Sequence, residues 1–197
     1  MKKVTPNKYP INDLVKKRWS PRAFSEKQIE EEKLASLFEA ARWAPSAFNE
    51  QPWRFIIGQK GSETYDKILQ SLVEWNQQWA GKSPVLVLNI ASKNFSHNSK
   101  TNATAQYDLG QAVAFMIIEA VNQGLVSHEM SGFDAEEAAR LLQIPDDFQA
   151  ISVTAIGYYG DASLLPEDML QSEMEDRKRK NLNEIVFTGR FGEASDY

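Results

Sequence analysis

Apolar and polar positions follow two periods along this chain, and the changes of period mark its elements. Between residues 26 and 43, Leu34, Leu37, Phe38 and Ala41 recur at i, i+3, i+4 and i+7, which lines one face of a helix. Ser25, with Gln28 three residues on, fits an N-cap for that helix, and Pro45 ends it. Residues 11–18 predict a short helix that stops before Pro21, because proline disfavours helical backbone in the residue before it. Residues 63–80 carry an interrupted helical pattern in Tyr65, Ile68, Leu69, Leu72, Val73 and Trp79. Residues 105–123 form the longest predicted helix, apolar nearly all round from 112 to 121, with Gly124 and Leu125 in the order of a Schellman cap. Another helix begins near Asp134. The tail is helical from Pro166, then turns from acidic (EMED) to basic (RKRK).

Period-two or continuous apolar runs predict strands at 53–59 (WRFIIGQ), 84–91 (PVLVLNIA) and within 150–159 (AISVTAIGYY). The run at 84–91 has no polar alternation, as expected of a strand covered on both faces. Residues 45–52 (PSAFNEQP) form a helix-to-strand loop, and 92–104 and 126–132 (VSHEMSG) also read as loops. No repeat, linker or heptad run interrupts the order. Helices and strands alternate without strict regularity, so the predicted class is α+β, and 197 residues suit one domain over 1–197.

Composition narrows the chemistry. Lys and Arg total 22 against 27 Asp and Glu, a net charge of −5, which argues against a generic nucleic-acid or anionic-membrane binder. There is no Cys, so disulfides, thiolate nucleophiles and Cys-held metals are excluded, and redox chemistry needs a borrowed cofactor. His97 and His128 are the only histidines and stand in no metal-ligand spacing, so no metal is expected. Neither a Rossmann G-x-G-x-x-G, nor a P-loop, nor a G-x-S-x-G elbow occurs. The longest apolar run, 112–118, is far below the ~18 residues of a membrane span. Residues 1–10 lack the apolar segment of a secretory signal, and a cytoplasmic location is expected.

Three segments carry candidate chemistry. Arg18-Trp19-Ser20-Pro21-Arg22 puts two guanidiniums and a hydroxyl within five residues at a helix end, which suits bidentate phosphate capture and equally suits a basic helix terminus. The turn from Pro45 to Trp53 gathers hydroxyl and amide groups that could line a polar heterocycle or simply make a turn. Arg177-Lys178-Arg179-Lys180 concentrates positive charge late in an acidic chain.

R-W-S-P-R-A-F, then A-R-W-A-P-S-A-F-N-E-Q-P-W-R-F, then Q-G-L…M-S-G-F-D-A, and a late R-K-R-K-N-L…E-I-V-F together resemble the FMN-dependent nitroreductase family over residues 11 to 192. The resemblance implies a nitroreductase-like fold, a central mixed sheet of few strands surrounded by helices, assembled as a homodimer with FMN at the interface. By that resemblance Arg18, Trp19 and Ser20 lie at the FMN phosphate and ribityl chain, completed by Arg177 and Arg179. Arg22 lies at the pyrimidine edge, where a cation favours the anionic reduced flavin, with Asn76 as a further pyrimidine contact. Pro45, Ser46, Ala47, Asn49 and Gln51 cover the dimethylbenzene side from the partner subunit. Ser131 and Gly132 point backbone N–H groups at flavin N5 and O4, the contacts that serve catalysis. Ala47 stands where many members have serine, and Asn181 where many have proline.

The activity so implied takes electrons from NADH or NADPH through flavin N5 to a small-molecule acceptor such as a nitroaromatic or quinone, in ping-pong order. A specialised flavoenzyme of the same fold that dehydrogenates or cleaves another substrate is the alternative, as is a non-catalytic flavin-binding dimer. His128, three residues before Ser131, is expected to pack or to line the substrate face rather than to exchange a proton.

Overall fold

A computed structural model describes residue 3 and residues 5–196. Its framework is a four-stranded sheet of β1 (Trp53–Gln59), β2 (Val85–Ser92), β3 (Val126–Met130) and β4 (Phe148–Gly157), in the order β1-β2-β4-β3. Every pairing among these strands is antiparallel, where a mixed sheet was expected. The antiparallel order follows from the connections. β1 and β2 are joined through the helices Glu63–Ser71 and Glu74–Ala80, and β3 and β4 through the helix Ala135–Leu142, each returning the chain to the end at which it left, while the helix Ala105–Asn122 crosses from β2 to the far edge so that β4 comes back antiparallel between β2 and β3.

Among the described residues seven α-helices surround the sheet: α1 (Asp13–Lys17), α2 (Glu31–Arg42), α3 (Glu63–Ser71), α4 (Glu74–Ala80), α5 (Ala105–Asn122), α6 (Ala135–Leu142) and α7 (Glu167–Met174). One face of β2 turns Val85, Val87 and Ala91 toward α2 and α5, whose Leu37, Leu109, Ala112 and Met116 are fully buried against them. The other face turns Leu86, Leu88 and Ile90 toward Tyr65, Ile68, Trp79 and Ala138 from α3, α4 and α6. Cover on both faces is why the second strand reads as a continuous apolar run. Each buried Val, Leu, Ile or Met among them contributes about 1.5–3 kcal/mol.

The Schellman cap forms as read. Leu125 N donates to Ala120 O, Gly124 N donates to Val121 O, and Gly124 supplies φ +75°. Three element boundaries differ from the sequence reading. The helix expected over 26–43 starts only at Glu31, because Ser25 N donates to Tyr158 O and Phe24 bridges Tyr159, which keeps the chain extended beside the end of β4. Residues 126–130, expected as loop, are strand β3 on the sheet edge. The final helix ends at Met174, so the basic run 177–180 lies on extended chain beyond it. Among the described residues no helix is long and apolar enough to cross a membrane.

Candidate functional site

The candidate residues fall into two groups on opposite edges of the sheet. The larger group gathers at the free edge strand β3. Arg18 caps α1 through its backbone N–H, which donates to Leu14 O, and its Nη1 donates to Ser20 Oγ at 3.1 Å. Arg177 reaches back to the same corner, donating from Nη1 to Lys16 O at 2.7 Å and to Thr5 Oγ1. Arg18 and Arg177 are half-buried. Burial lowers the basicity of Arg18, a charge from Glu129 opposes this, and the Arg179 charge lowers it further. Arg177 is likewise lowered by burial and then by the charges of Arg18 and Arg179. Three guanidiniums within electrostatic reach of one another form a corner that favours an anion.

The chain after Arg18 is fixed from a distance. The fully buried Glu173 of α7 accepts from Arg22 N at 2.9 Å and from Ala23 N at 3.3 Å, so the R-W-S-P-R-A segment is pinned by its backbone. Arg22 is thereby left half-buried, its Nη1 donating to Ser172 Oγ at 3.3 Å and its guanidinium 6.0 Å from the Trp79 ring. Trp19 packs on Tyr159 at 5.5 Å between ring centroids, with Lys3 Nζ 4.7 Å from its ring.

Beside this corner the chain leaves β3 through Ser131 and Gly132. The Gly132 carbonyl accepts from Val73 N at 3.1 Å and from Asn76 Nδ2 at 2.9 Å, which ties the loop to the start of α4. A Cβ on Gly132 would lie 2.7 Å from Asn76 Nδ2 and 3.1 Å from Val73 Cγ2, so only glycine fits without displacing them. Among the described residues, neither the Ser131 nor the Gly132 N–H donates to a backbone carbonyl. Two free donors and a cradle closed to side chains suit a flat polar ligand lying against backbone.

His128 points to the other face of β3. Its ring packs on Trp79 with centroids 4.5 Å apart, and Pro21 O accepts from Nδ1 at 3.0 Å. Burial, reinforced by the Arg22 and Arg18 charges against the Pro21 bond, pushes its pKa down to about 4. The imidazole is therefore a neutral packing group.

The second group, Pro45, Ser46, Ala47, Asn49 and Gln51, precedes β1 at the far edge. Ala47 N donates to the buried Asp108 carboxylate at 3.1 Å, and Gln51 N donates to Ser46 Oγ at 3.0 Å. Pro45 and Asn49 are exposed. With β2 and β4 between β1 and β3, strand spacing alone separates the two groups by on the order of 14 Å. One chain brings Arg18, Ser20, Arg22, Asn76, Ser131, Gly132, Arg177 and Arg179 to one side, and leaves the loop at 45–51 on the other.

Four positions of this arrangement carry no sequence signal of their own: Glu173, Asp108, Glu129 and Thr5. Glu129 is the most unusual. Its carboxyl is pushed up by burial, opposed by Ser127 and Arg18, and its Oε1 is buried without a hydrogen-bond partner.

The antiparallel α+β frame is that of a known class. Residues 15–158 match the nitroreductase family, and the chain belongs to it. In particular, the chain is similar to a solved structure described as an oxidoreductase containing FMN, at 36% identity and a TM-score of 0.90, covering 95% of this chain and 96% of that one. It is also 33% identical over 146 residues to an uncharacterized 15.4 kDa protein of Mycolicibacterium smegmatis, covering 71% of this chain and 97% of that one. A third relative, provisionally named NADH dehydrogenase/NAD(P)H nitroreductase in Archaeoglobus fulgidus, is 29% identical over 148 residues, covering 73% of this chain and 82% of that one.

Proposed function

We propose that this single-domain chain is a cytoplasmic FMN-dependent NAD(P)H oxidoreductase that acts as a homodimer. The observation that carries the reading is the corner where Arg18 and Arg177, both lowered in basicity by burial and then by neighbouring guanidinium charge, stand with Arg179 beside the free N–H groups of Ser131 and Gly132. A phosphate dianion relieves the repulsion among the guanidiniums, and a planar ring system with acceptor atoms along one edge uses the donors. The similarity to an FMN-containing oxidoreductase and to a provisionally named NAD(P)H nitroreductase supports the same cofactor and donor.

In this reading Arg18, Arg177 and Arg179 hold the phosphate, with Trp19 and Ser20 beside the ribityl chain, Arg22 and Asn76 at the pyrimidine edge, and Ser131 and Gly132 donating to N5 and O4. Pro45, Ser46, Ala47, Asn49 and Gln51 of a second copy cover the remaining side, which agrees with their position across the sheet in the first. Bound there, FMN would supply the redox chemistry between NADH or NADPH and a nitroaromatic, quinone or related small acceptor. The chain binds, orients and excludes water. No side chain has to exchange a proton, and His128 is held neutral and pinned by Pro21. One open face serves donor and acceptor in turn, which gives parallel initial-rate plots.

An outward apolar stripe on α5 supports the dimer. Tyr107 and Phe115 are 71% and 44% exposed, with exposed Gly110 and Ala114 between them on the same face. Titration of flavin-free protein with FMN, followed by quenching of flavin fluorescence, tests the reading. One FMN bound per chain is expected, and no saturable binding contradicts it.

A further inference from the structure

The backbone from Pro21 to Ala23 is held at each end and in the middle. Pro21 O accepts from His128 Nδ1 at 3.0 Å, and Ala23 O accepts from Gly160 N at 2.9 Å. Between them the N–H groups of Arg22 and Ala23 both donate to Glu173, each to a different oxygen: Arg22 N to Oε2 at 2.9 Å and Ala23 N to Oε1 at 3.3 Å. Glu173 is 1% exposed. A carboxylate offers two acceptor oxygens, whereas an amide of the same shape offers one and would set its NH2 group against the second N–H. A carboxylate this deep is kept where both of its oxygens are satisfied.

The same turn of α7 also holds the side chain. Ser172 Oγ accepts from Arg22 Nη1 at 3.3 Å, and the guanidinium lies 6.0 Å from the Trp79 ring. Among the described residues the Arg22 guanidinium makes no ion pair, and its Nε is buried without a hydrogen-bond partner. Glu173 therefore fixes the backbone of Arg22 and leaves the charge of its side chain available to a ligand. Ser172 and Glu173 both lie beyond residues 15–158, the stretch that matches the family.

We propose that Ser172 and Glu173 are positioning residues through which α7 sets the Arg22 cation at a fixed place beside the flavin, and that this grip stabilises reduced flavin over oxidised flavin. The place of the flavin rests on the proposed function. The grip itself rests on the hydrogen bonds. A cation held in place stabilises the form of a ligand that carries more negative charge, and one that swings into water does so less.

Amide hydrogen exchange in flavin-free protein reads the grip without the cofactor. The Arg22 and Ala23 N–H groups should exchange slowly in the natural protein, and at least one should exchange about tenfold or more faster in Glu173→Gln. Fast exchange of both in the natural protein, or unchanged exchange in Glu173→Gln, overturns the proposal. With FMN bound, the midpoint potential reads the consequence. Glu173→Gln should lower the preference for reduced over oxidised flavin about tenfold, which for a two-electron couple is about 30 mV more negative. Ser172→Ala, at an exposed position, should lower it about threefold by removing the bond to the guanidinium. Both shifts should vanish in an Arg22→Ala background, because each acts through Arg22. Unchanged potentials, or shifts that persist without Arg22, overturn the proposal. Should Glu173→Gln not fold, Ser172→Ala with and without Arg22→Ala decides. Slow exchange that Glu173→Gln abolishes, in a protein that binds no FMN, contradicts the proposed function and leaves the grip alone standing.

Discussion

Arg18 illustrates how one residue holds several duties at once. It ends a helix, positions Ser20, and stands within reach of Arg179 and Arg177 with Glu129 as its opposing charge. Replacing Arg18 or Arg179 by Ala should cost about 1.5–3 kcal/mol of FMN affinity, the usual worth of a hydrogen bond to a charged group. Fluorescence titration at fixed salt measures it, and unchanged affinity in both variants would return these arginines to a surface role. Gly132 admits an equally direct test. A Cβ there collides with Asn76 and Val73, so Gly132→Val should shift the loop and slow flavin reduction and reoxidation alike, by about a hundredfold for an ångström-scale displacement.

His128 should behave as a packing residue. His128→Ala is expected to change acceptor-dependent rates by less than about tenfold, below the range typical of losing an acid or base, and stopped-flow flavin reduction measures the same for the donor step. Its burial also sets a sign for stability. The folded pKa of about 4 lies below the ordinary value of 6.5, so the unfolded chain takes up the proton first as pH falls. The contribution is whole above 6.5 and is lost toward 4, by roughly 3 kcal/mol at the limit. Urea midpoints measured from pH 7 to 4 should fall less steeply in His128→Phe than in the natural protein, and equal slopes would contradict the buried, neutral ring.

At this scale the sequence was legible where the chemistry is local. The runs at 18–22, 45–51 and 177–180 each concentrate candidate groups within a few residues. Glu173 was not legible because it acts on Arg22 from 151 residues away, and Asp108 because it reaches Ala47 across 61. Only the fold creates those pairings.

Among the elements, α5 shows best how periodicity fails and then informs. An apolar helix on nearly every side reads as buried, and its inward face is indeed covered by α2 and the sheet. Tyr107 and Phe115 remain on the outward side. If that stripe is the dimer seam, Phe115→Arg should convert the assembly to monomers in sedimentation, with loss of FMN, whereas a persistent dimer would place the interface elsewhere. The edge strand β3 escaped sequence reading because it is only five residues long and its inward face, Val126, His128 and Met130, has a histidine at its centre, packed on Trp79, with Ser127 and Glu129 on the other face. The second helix starts late for a related reason: the cap signal at Ser25 is local, while the bond from Ser25 N to Tyr158 O spans the fold and wins.

For the whole molecule, sheet order decides the architecture of the site. The loop at 45–51 enters β1 and the loop at 131–132 leaves β3, at opposite edges of the order β1-β2-β4-β3. One copy leaves the two groups on opposite edges, and the proposed function has a second copy bring them together. Sedimentation should therefore give about 45 kDa, twice the 22.3 kDa of one chain. Periodicity and composition do not report this separation, since strand order depends on long-range pairings; only the family resemblance implied that the loop at 45–51 acts from a second copy.

Electron entry is the most direct test of the proposed activity. Purified protein loaded with FMN is mixed anaerobically with NADH and, separately, with NADPH, and the visible flavin absorption is followed in time. The predicted result is full bleaching by at least one donor, with the colour restored when a nitroaromatic or quinone is added. A yellow protein that neither donor bleaches would contradict the claim that this fold and its arginine corner serve an NAD(P)H oxidoreductase.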